Sequence, residues 1–254
     1  MKNPKSILIT GGSSGLGEFL AKDYAKQGIT LFLSGRNEER LTAVKETCQA
    51  LGAAVHMGLV DSADETSMSD WITSCDDICP LDLVVANAGI GDGFTTDMDL
   101  GAHTKKTFAV NVSGVFNTVH PAIRIMQKRG RGQIALIASL AGYHGLPTAP
   151  AYSTSKACVK AYGEALRGLY GHLGIEINVV CPGFVKSRMT AQNNFPMPFL
   201  METDKAITAL RRGLERNQGR ITFPWQLSLI YGFMVRFLPE WLFDRIFRVM
   251  PKKV

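Results

Sequence analysis

Short runs dense in Ile, Leu, Val and Phe alternate along the chain with longer stretches whose apolar positions recur at helical spacing. The runs predict strands over residues 6–10, 30–34, 54–60, 81–86, 133–138, 176–180 and 221–223. The stretches between them predict helices near 15–27, 37–51, 64–74, 101–129, 152–172 and 203–217. In the first of these, Phe19, Leu20 and Tyr24 share a face and Gly28 supplies a stop. A strand such as Leu83–Ala86 is apolar at every position, not at every second one, which suits a parallel sheet covered by helices on both faces. With no internal repeat and no low-complexity linker, the expectation is an α/β fold: one doubly wound domain around a seven-stranded, mainly parallel sheet.

The pattern changes after residue 220. Residues 221–235 carry no charge and contain Pro224, a run too short for the roughly 20 residues that span a bilayer. Pro239 breaks it, and 240–250 becomes amphipathic. On a helical wheel Leu242, Phe243, Ile246, Phe247, Val249 and Met250 fall on one side and Glu240, Asp244, Arg245 and Arg248 on the other, with Trp241 at the edge. Lys252 and Lys253 follow. Aromatic residues beside basic ones suit an interfacial membrane helix, so a peripheral membrane contact through 225–253 is one expectation. A helix pair covering a cleft, or an oligomer interface, is the other. The chain therefore divides into a main domain over 1–220, with a lid over 184–202, and an extension over 221–254 packed on the same domain.

Composition narrows the function classes. A chain of 254 residues can bury one substantial α/β core. Its net charge of +6 is mild and dispersed, which leaves no nucleic-acid footprint. The five cysteines (Cys48, Cys75, Cys79, Cys158, Cys181) are an odd set without zinc-type pairs, and they read as reduced thiols of a cytoplasmic protein. His56, His103, His120 and His172 have no metal spacing, so no metal is expected. The N-terminus passes straight into the first strand, leaving no room for a signal peptide.

Chemistry enters at two places. The first strand runs into Gly11-Gly-Ser-Ser-Gly15-Leu-Gly17, which opens a helix. Glycines let the backbone approach a pyrophosphate, and the free N–H groups and dipole of the helix N-terminus favour its charge. The spacing is G-x-x-x-G-x-G instead of the common G-x-G-x-x-G. The second strand ends at Gly35-Arg36, where an acidic residue would grip a ribose 2′-OH and an arginine pairs with a 2′-phosphate. Farther on, Tyr152 and Lys156 stand four apart, on one face of a helix. An ammonium near a phenol favours the phenolate, so a Tyr152 pKa below its usual value of about 10 is expected. A phenol tuned this way can move a proton near neutral pH.

The chain resembles the short-chain dehydrogenases/reductases over roughly residues 5–225. The resemblance rests on Thr10-Gly-Gly-Ser-Ser-Gly-Leu-Gly17, Asp61, Asn87-Ala-Gly89, Asn111-Val-Ser-Gly114, Ser139, Tyr152-x-x-x-Lys156 and Pro182-Gly183, in that order. It implies a Rossmann-type catalytic domain using NADP(H), with Gly11, Ser13, Ser14, Gly15, Leu16 and Gly17 cradling the cofactor and Arg36 selecting the phosphorylated form. It places Asp61 against the adenine, although the residue could equally cap a following helix. It places Asn87, Ala88 and Gly89 against the ribose.

The same resemblance assigns chemistry to the second site. Ser139 would hydrogen-bond the substrate oxygen and Tyr152 would exchange its proton. Lys156 would tune the tyrosine and hold the nicotinamide ribose. Asn111, through its side chain or a locally bent backbone, would hold a water beside Lys156. The loop Pro182, Gly183, Val185 and Ser187 would close on the nicotinamide, with Ser187 standing where threonine is usual and preserving the hydroxyl. His144, between Ser139 and Tyr152, and Phe184 are the expected substrate contacts. The Met, Phe and Pro residues of 184–202 suit an apolar or lipid-like alcohol or ketone. A polar metabolite such as a sugar or an acyl thioester, or a silent NADP-binding sensor, remains open. A homo-oligomer is expected, in the cytoplasm or at the inner face of a membrane.

Overall fold

The computed structural model describes residues 1–91, 98–191 and 196–248. Its centre is a seven-stranded sheet of β1 (Ser6–Thr10), β2 (Thr30–Ser34), β3 (Ala54–Gly58), β4 (Leu83–Ala86), β5 (Gly132–Ile137), β6 (Ile175–Pro182) and β7 (Arg220–Phe223). The spatial order is β3-β2-β1-β4-β5-β6-β7 and every pairing is parallel. The order reverses between β1 and β4, the place where an open α/β sheet leaves a crevice at the carboxyl ends of its strands.

Alternation along the strands explains why they are apolar throughout. Ile7 and Ile9 face one layer, made by α1 (Gly15–Tyr24), α2 (Glu38–Ala50) and α8 (Thr203–Glu215), with Leu20, Leu41 and Leu210 in that core. Leu8, Phe32 and Val84 face the other, against Met68 and Ile72 of α3 (Glu65–Ile78), Val119 of α5 (Gly114–Arg129) and Val159 of α6 (Pro150–Tyr170). Both faces are covered, so the strand positions are mostly apolar, and buried polar residues such as Gln133 and Asn178 are hydrogen-bonded to each other and to backbone.

Several boundaries differ from the sequence expectation for identifiable reasons. β3 stops at Gly58 because its partner among the described residues, β2, ends at Ser34 in that register. α6 starts at Pro150, two residues early, since proline is suited to a first helical turn. The stretch expected as one helix over 101–129 is α4 (Leu100–Phe108) and α5 joined by a π-helical turn at Ala109–Ser113.

Beyond β7 the chain forms α9 (Trp225–Phe237) and α10 (Glu240–Arg248), separated by Pro239. Of the wheel expected over 240–250, Val249 and Met250 lie outside the described residues, as do the side chains of Asp244, Ile246, Phe247 and Arg248. Residues 192–195 of the expected lid lie outside them as well. The lid's described parts include α7 (Arg188–Ala191). No helix among the described residues is long and apolar enough to cross a membrane.

Candidate active site

The turn after β1 is shaped by close approach. Gly11 has a φ of +65°, and a Cβ there would come within 2.9 Å of the Ala88 Cα. A Cβ at Gly17 would come 2.5 Å from both the Asn87 amide nitrogen and the Gly11 carbonyl oxygen. Asn87 uses this proximity: its Nδ2 donates to the Thr10 and Gly11 carbonyls at 2.9 and 3.1 Å. Thr10 Oγ1 accepts from the N–H groups of Asn87 and Ala88 at 3.0 and 3.1 Å. Thr10 thus clamps the two loops together, a role that a lone threonine ending a strand did not announce. Ser14, the N-cap of α1, makes no side-chain cap bond, and Gly15 (φ +57°) faces open space, with only Ser187 Cβ as near as 4.0 Å. The uncapped helix end beside a bare glycine fits a phosphate group.

That cradle is one end of a cleft of about 460 Å³. Ser13, Ser14, Gly15 and Leu16 line it with Gly11, as do Arg36, Asp61, Asn87, Ala88 and Gly89. Arg36 lies at the end of β2, 61% exposed, with its Nη1 3.6 Å from Asp61 Oδ2. Asp61 accepts from the Ala63 N–H at 3.0 Å and does not cap α3. Asp64 does that, accepting from Ser67 N–H at 3.1 Å. Arg40 and Arg188 add cationic lining.

At the other end, Ser139, Tyr152, Lys156, Pro182, Gly183, Val185 and Ser187 line the same cleft. Ser139 follows β5 and caps a short 3-10 turn (Leu140–Tyr143), its Oγ accepting from Ala141 N–H at 3.1 Å and donating to the Pro182 carbonyl at 3.3 Å. Tyr152 and Lys156 occupy successive turns of α6, with Lys156 Nζ 5.8 Å from the centre of the Tyr152 ring. Lys156 is 4% exposed and donates to the Ile137 carbonyl at 2.9 Å.

Burial governs the ionisation of both groups. It pushes Lys156 down to about 8 and raises Tyr152 above its ordinary value, against which only a hydrogen bond with Ser139 works. This corrects the expectation that the ammonium lowers the phenol. Withdrawal from water disfavours the phenolate and sets the direction of the shift.

Asn111 sits behind this end of the cleft, fully buried within the π-helical turn. Its Oδ1 accepts from Ile90 N–H at 2.8 Å, and its Nδ2 donates to the Ile90 carbonyl at 2.9 Å and Ser155 Oγ at 3.0 Å. The side chain is therefore a strut between the loop after β4 and α6, and the bent backbone is the π turn itself. A Cβ on Gly89 would lie 3.2 Å from Asn111 Oδ1 and 3.4 Å from Lys156 Nζ, so the three positions crowd together.

Two expected substrate contacts lie elsewhere. Phe184 packs, half-buried, on the core layer beneath α5 and α6. The His144 ring stacks on the Phe243 ring of α10 at 4.2 Å between centroids. Phe243 is buried, so the extension folds back onto the loop between Ser139 and Tyr152. Leu227 of α9 meets Gly183, where an added Cβ would come within 2.9 Å. On the lid, Met189 and Thr190 also line the cleft, and Met189 approaches Gly91 across it. Thr190 Oγ1 accepts from Ser187 N–H at 2.9 Å and donates to the Val185 carbonyl at 2.7 Å, which fastens this turn. No group of His, Cys, Asp and Glu among the described residues could hold a metal ion.

The sequence model of the short chain dehydrogenases matches residues 5–197. A protein of Myxococcus xanthus named an uncharacterized oxidoreductase is 38% identical over 241 residues, 94% of this chain and 95% of that protein. Estradiol 17-beta-dehydrogenase 11 of Rattus norvegicus is 27% identical over 245 residues, 94% of this chain and 81% of that protein. Among solved structures, a short-chain dehydrogenase from Sphingobium yanoikuyae in complex with NADPH superposes with a TM-score of 0.81 at 19% identity, over 98% of this chain and 97% of that one. That last likeness is one of fold.

Proposed function

The chain belongs to the short-chain dehydrogenases/reductases, oxidoreductases that bind a nicotinamide cofactor, and from that premise we propose that it interconverts an apolar alcohol and its ketone or aldehyde with NADP(H). The observation that carries the reading is the convergence of Ser139, Tyr152 and Lys156 at one end of a cleft whose other end presents Arg36.

The uncapped start of α1 with Gly15 and Gly17 would hold the pyrophosphate, Asn87–Gly89 and Lys156 the riboses, and the loop from Pro182 to Ser187 the carboxamide. Arg36, aided by Arg40, would hold a 2′-phosphate. Its ion pair with Asp61 is exposed and worth no more than about 1 kcal/mol, so the guanidinium is free to turn to a doubly charged group. When bound, the nicotinamide supplies the hydride chemistry.

The chain's own residues manage the proton. Ser139 Oγ exchanges its long bond with the Pro182 carbonyl for one to the substrate oxygen. Tyr152, held protonated by burial, gives its proton to that oxygen during reduction and recovers it during oxidation. Lys156, cationic below about pH 8, steadies the phenolate left behind. The apolar preference is supported by Ile90, Val110 and Met189, which line the cleft, by the packing of α9 against the turn at Gly183, and by the steroid named for the rat relative.

The test is absorbance-monitored turnover of aliphatic, alicyclic and steroidal ketones with NADPH and with NADH. The expected result is turnover of the more apolar ketones, with kcat/KM at least about tenfold higher for NADPH, the scale of one charge-assisted contact. Equal use of NADH, or no turnover of any carbonyl compound, would overturn the reading.

A further inference from the structure

The inner face of the C-terminal extension is spoken for. Leu227 is buried against Gly183 and Phe243 against His144. The outer face is not. Trp225, Leu229, Phe233 and Phe237 recur every fourth residue along α9, all more than 60% exposed, and Ile230 and Trp241 widen the stripe. The Phe233 and Phe237 rings pack tilted against each other, 4.9 Å between centroids, with both largely turned to water. Elsewhere among the described residues the exposed large apolar side chains come singly or in pairs, as at Leu51, Ile78 and Phe199-Leu200. Soluble surfaces seldom carry so long a contiguous apolar strip without something to cover it.

Charge distinguishes the possible occupants. The charged side chains described on α9 and α10 are Arg236, Glu240 and Arg245, all exposed. Over 225–254 the sequence holds Arg236, Arg245, Arg248, Lys252 and Lys253 against Glu240 and Asp244, so the segment that carries the stripe is cationic in composition. A second copy docking about a two-fold axis would set this cationic segment against its own duplicate and bring like charges together. An anionic lipid surface meets the cations with phosphates and takes the aromatic rings between its headgroups. Tryptophan stands at both ends of the stripe, the residue type that favours the headgroup level.

We propose that α9 and α10 dock this protein on an anionic membrane surface, with the stripe from Trp225 to Trp241 in the headgroup region. The opposite face of the same helices borders the loop carrying Ser139 and the turn at Gly183. Docking therefore places the candidate substrate mouth next to the lipid, where an apolar alcohol or ketone is concentrated. This delivery role rests on the proposed reaction, whereas the docking itself does not.

Flotation of the full-length protein with vesicles measures it, comparing phosphatidylcholine alone with an equal mixture of phosphatidylcholine and phosphatidylglycerol. Partitioning onto the anionic vesicles is expected to exceed that onto neutral ones by about tenfold or more and to weaken with salt. The variant Phe233→Glu/Phe237→Glu changes two exposed side chains and should lose at least about tenfold of that binding. Its near-ultraviolet circular dichroism and its turnover of a water-soluble ketone should match the native protein. A native chain that stays off anionic vesicles, or a double variant that binds them as well as the native chain, would overturn the proposal. So would sedimentation showing a native dimer that the double variant converts to monomers, which would give the stripe to a second copy. If the soluble ketone is not turned over while vesicles are bound, the proposed reaction fails and the docking stands.

Discussion

The two ends of the cleft use charge in opposite ways. Around the glycine turn, the proposed phosphate cradle is backbone, and the charged side chains Arg36 and Asp61 stand in the open. Around α6, Lys156 is taken out of water and held by its bond to the Ile137 carbonyl, with Tyr152 half-buried one turn before it. An exposed charge is cheap to keep and easy to redirect, so it can select among ligands. A buried one resists ionisation, so its protonation state can be coupled to a reaction. The contrast predicts that substitutions at the buried end change rate and pH dependence, while those at the open end change which cofactor is preferred.

Tyr152→Phe tests the buried end most severely. Removing the hydroxyl leaves the ring's packing intact and should lower kcat by about 10²- to 10⁴-fold, with NADPH binding, followed by nicotinamide fluorescence, little altered. A native rate from this variant would break the comparison, because the buried end would then carry no proton chemistry.

Lys156→Met should cost rate and add stability. Holding an ammonium 4% exposed depresses its pKa from 10.5 to about 8. That burial cost, less the bond lost to the Ile137 carbonyl, gives an expected gain of about 1–3 kcal/mol in urea unfolding at pH 7. Between pH 8 and 10.5 the unfolded chain binds the proton more tightly than the folded one, so native stability rises with pH there. The gap between variant and native protein should therefore close across this window. A gap that is constant up to pH 10.5 would mean that Lys156 is not held against its charge.

Arg36→Ala addresses the open end. Loss of the guanidinium should raise KM for NADPH by about 10- to 100-fold and leave NADH nearly unaffected. Because the group is exposed, the native preference should also shrink with salt, whereas the Tyr152 and Lys156 effects should not. Equal losses with both cofactors would make Arg36 a structural partner of Asp61 and nothing more.

How much of this was legible in the sequence follows from the range of the interactions. The alternation of runs predicts the parallel sheet because both faces of each strand must be apolar, and that demand is local. The glycine turn, Ser139, Tyr152 and Lys156 were legible because a fixed backbone path carries them to the carboxyl edge of the sheet. The raised pKa of Tyr152 was not, since it depends on burial by segments distant in sequence. Nor was Thr10, whose clamp on Asn87 and Ala88 spans about 77 residues of chain and is created only when β1 and β4 pair. The destination of α10 was open for the same reason. An amphipathic wheel shows that a face will be covered, and only the tertiary fold shows that its cover is His144.

That contact supports the smallest of the expected effects and joins the two regions that the sequence kept apart. His144→Ala removes a ring stacked 4.2 Å from Phe243, worth about 0.5–1.5 kcal/mol beyond the area it buries. A shift of that size should appear as a modest fall in thermal stability, with the larger part in the opening of α10 instead of global unfolding. Hydrogen exchange would locate it: faster exchange over 240–248 and unchanged protection in β4 and β5. If His144 instead touched the substrate, KM for apolar ketones would rise with no change in exchange. If it serves only to seat α10, KM should move by no more than the stacking energy allows, about two- to tenfold, and Phe243→Ala should reproduce it. Nonadditivity in the double variant would tie both residues to a single contact.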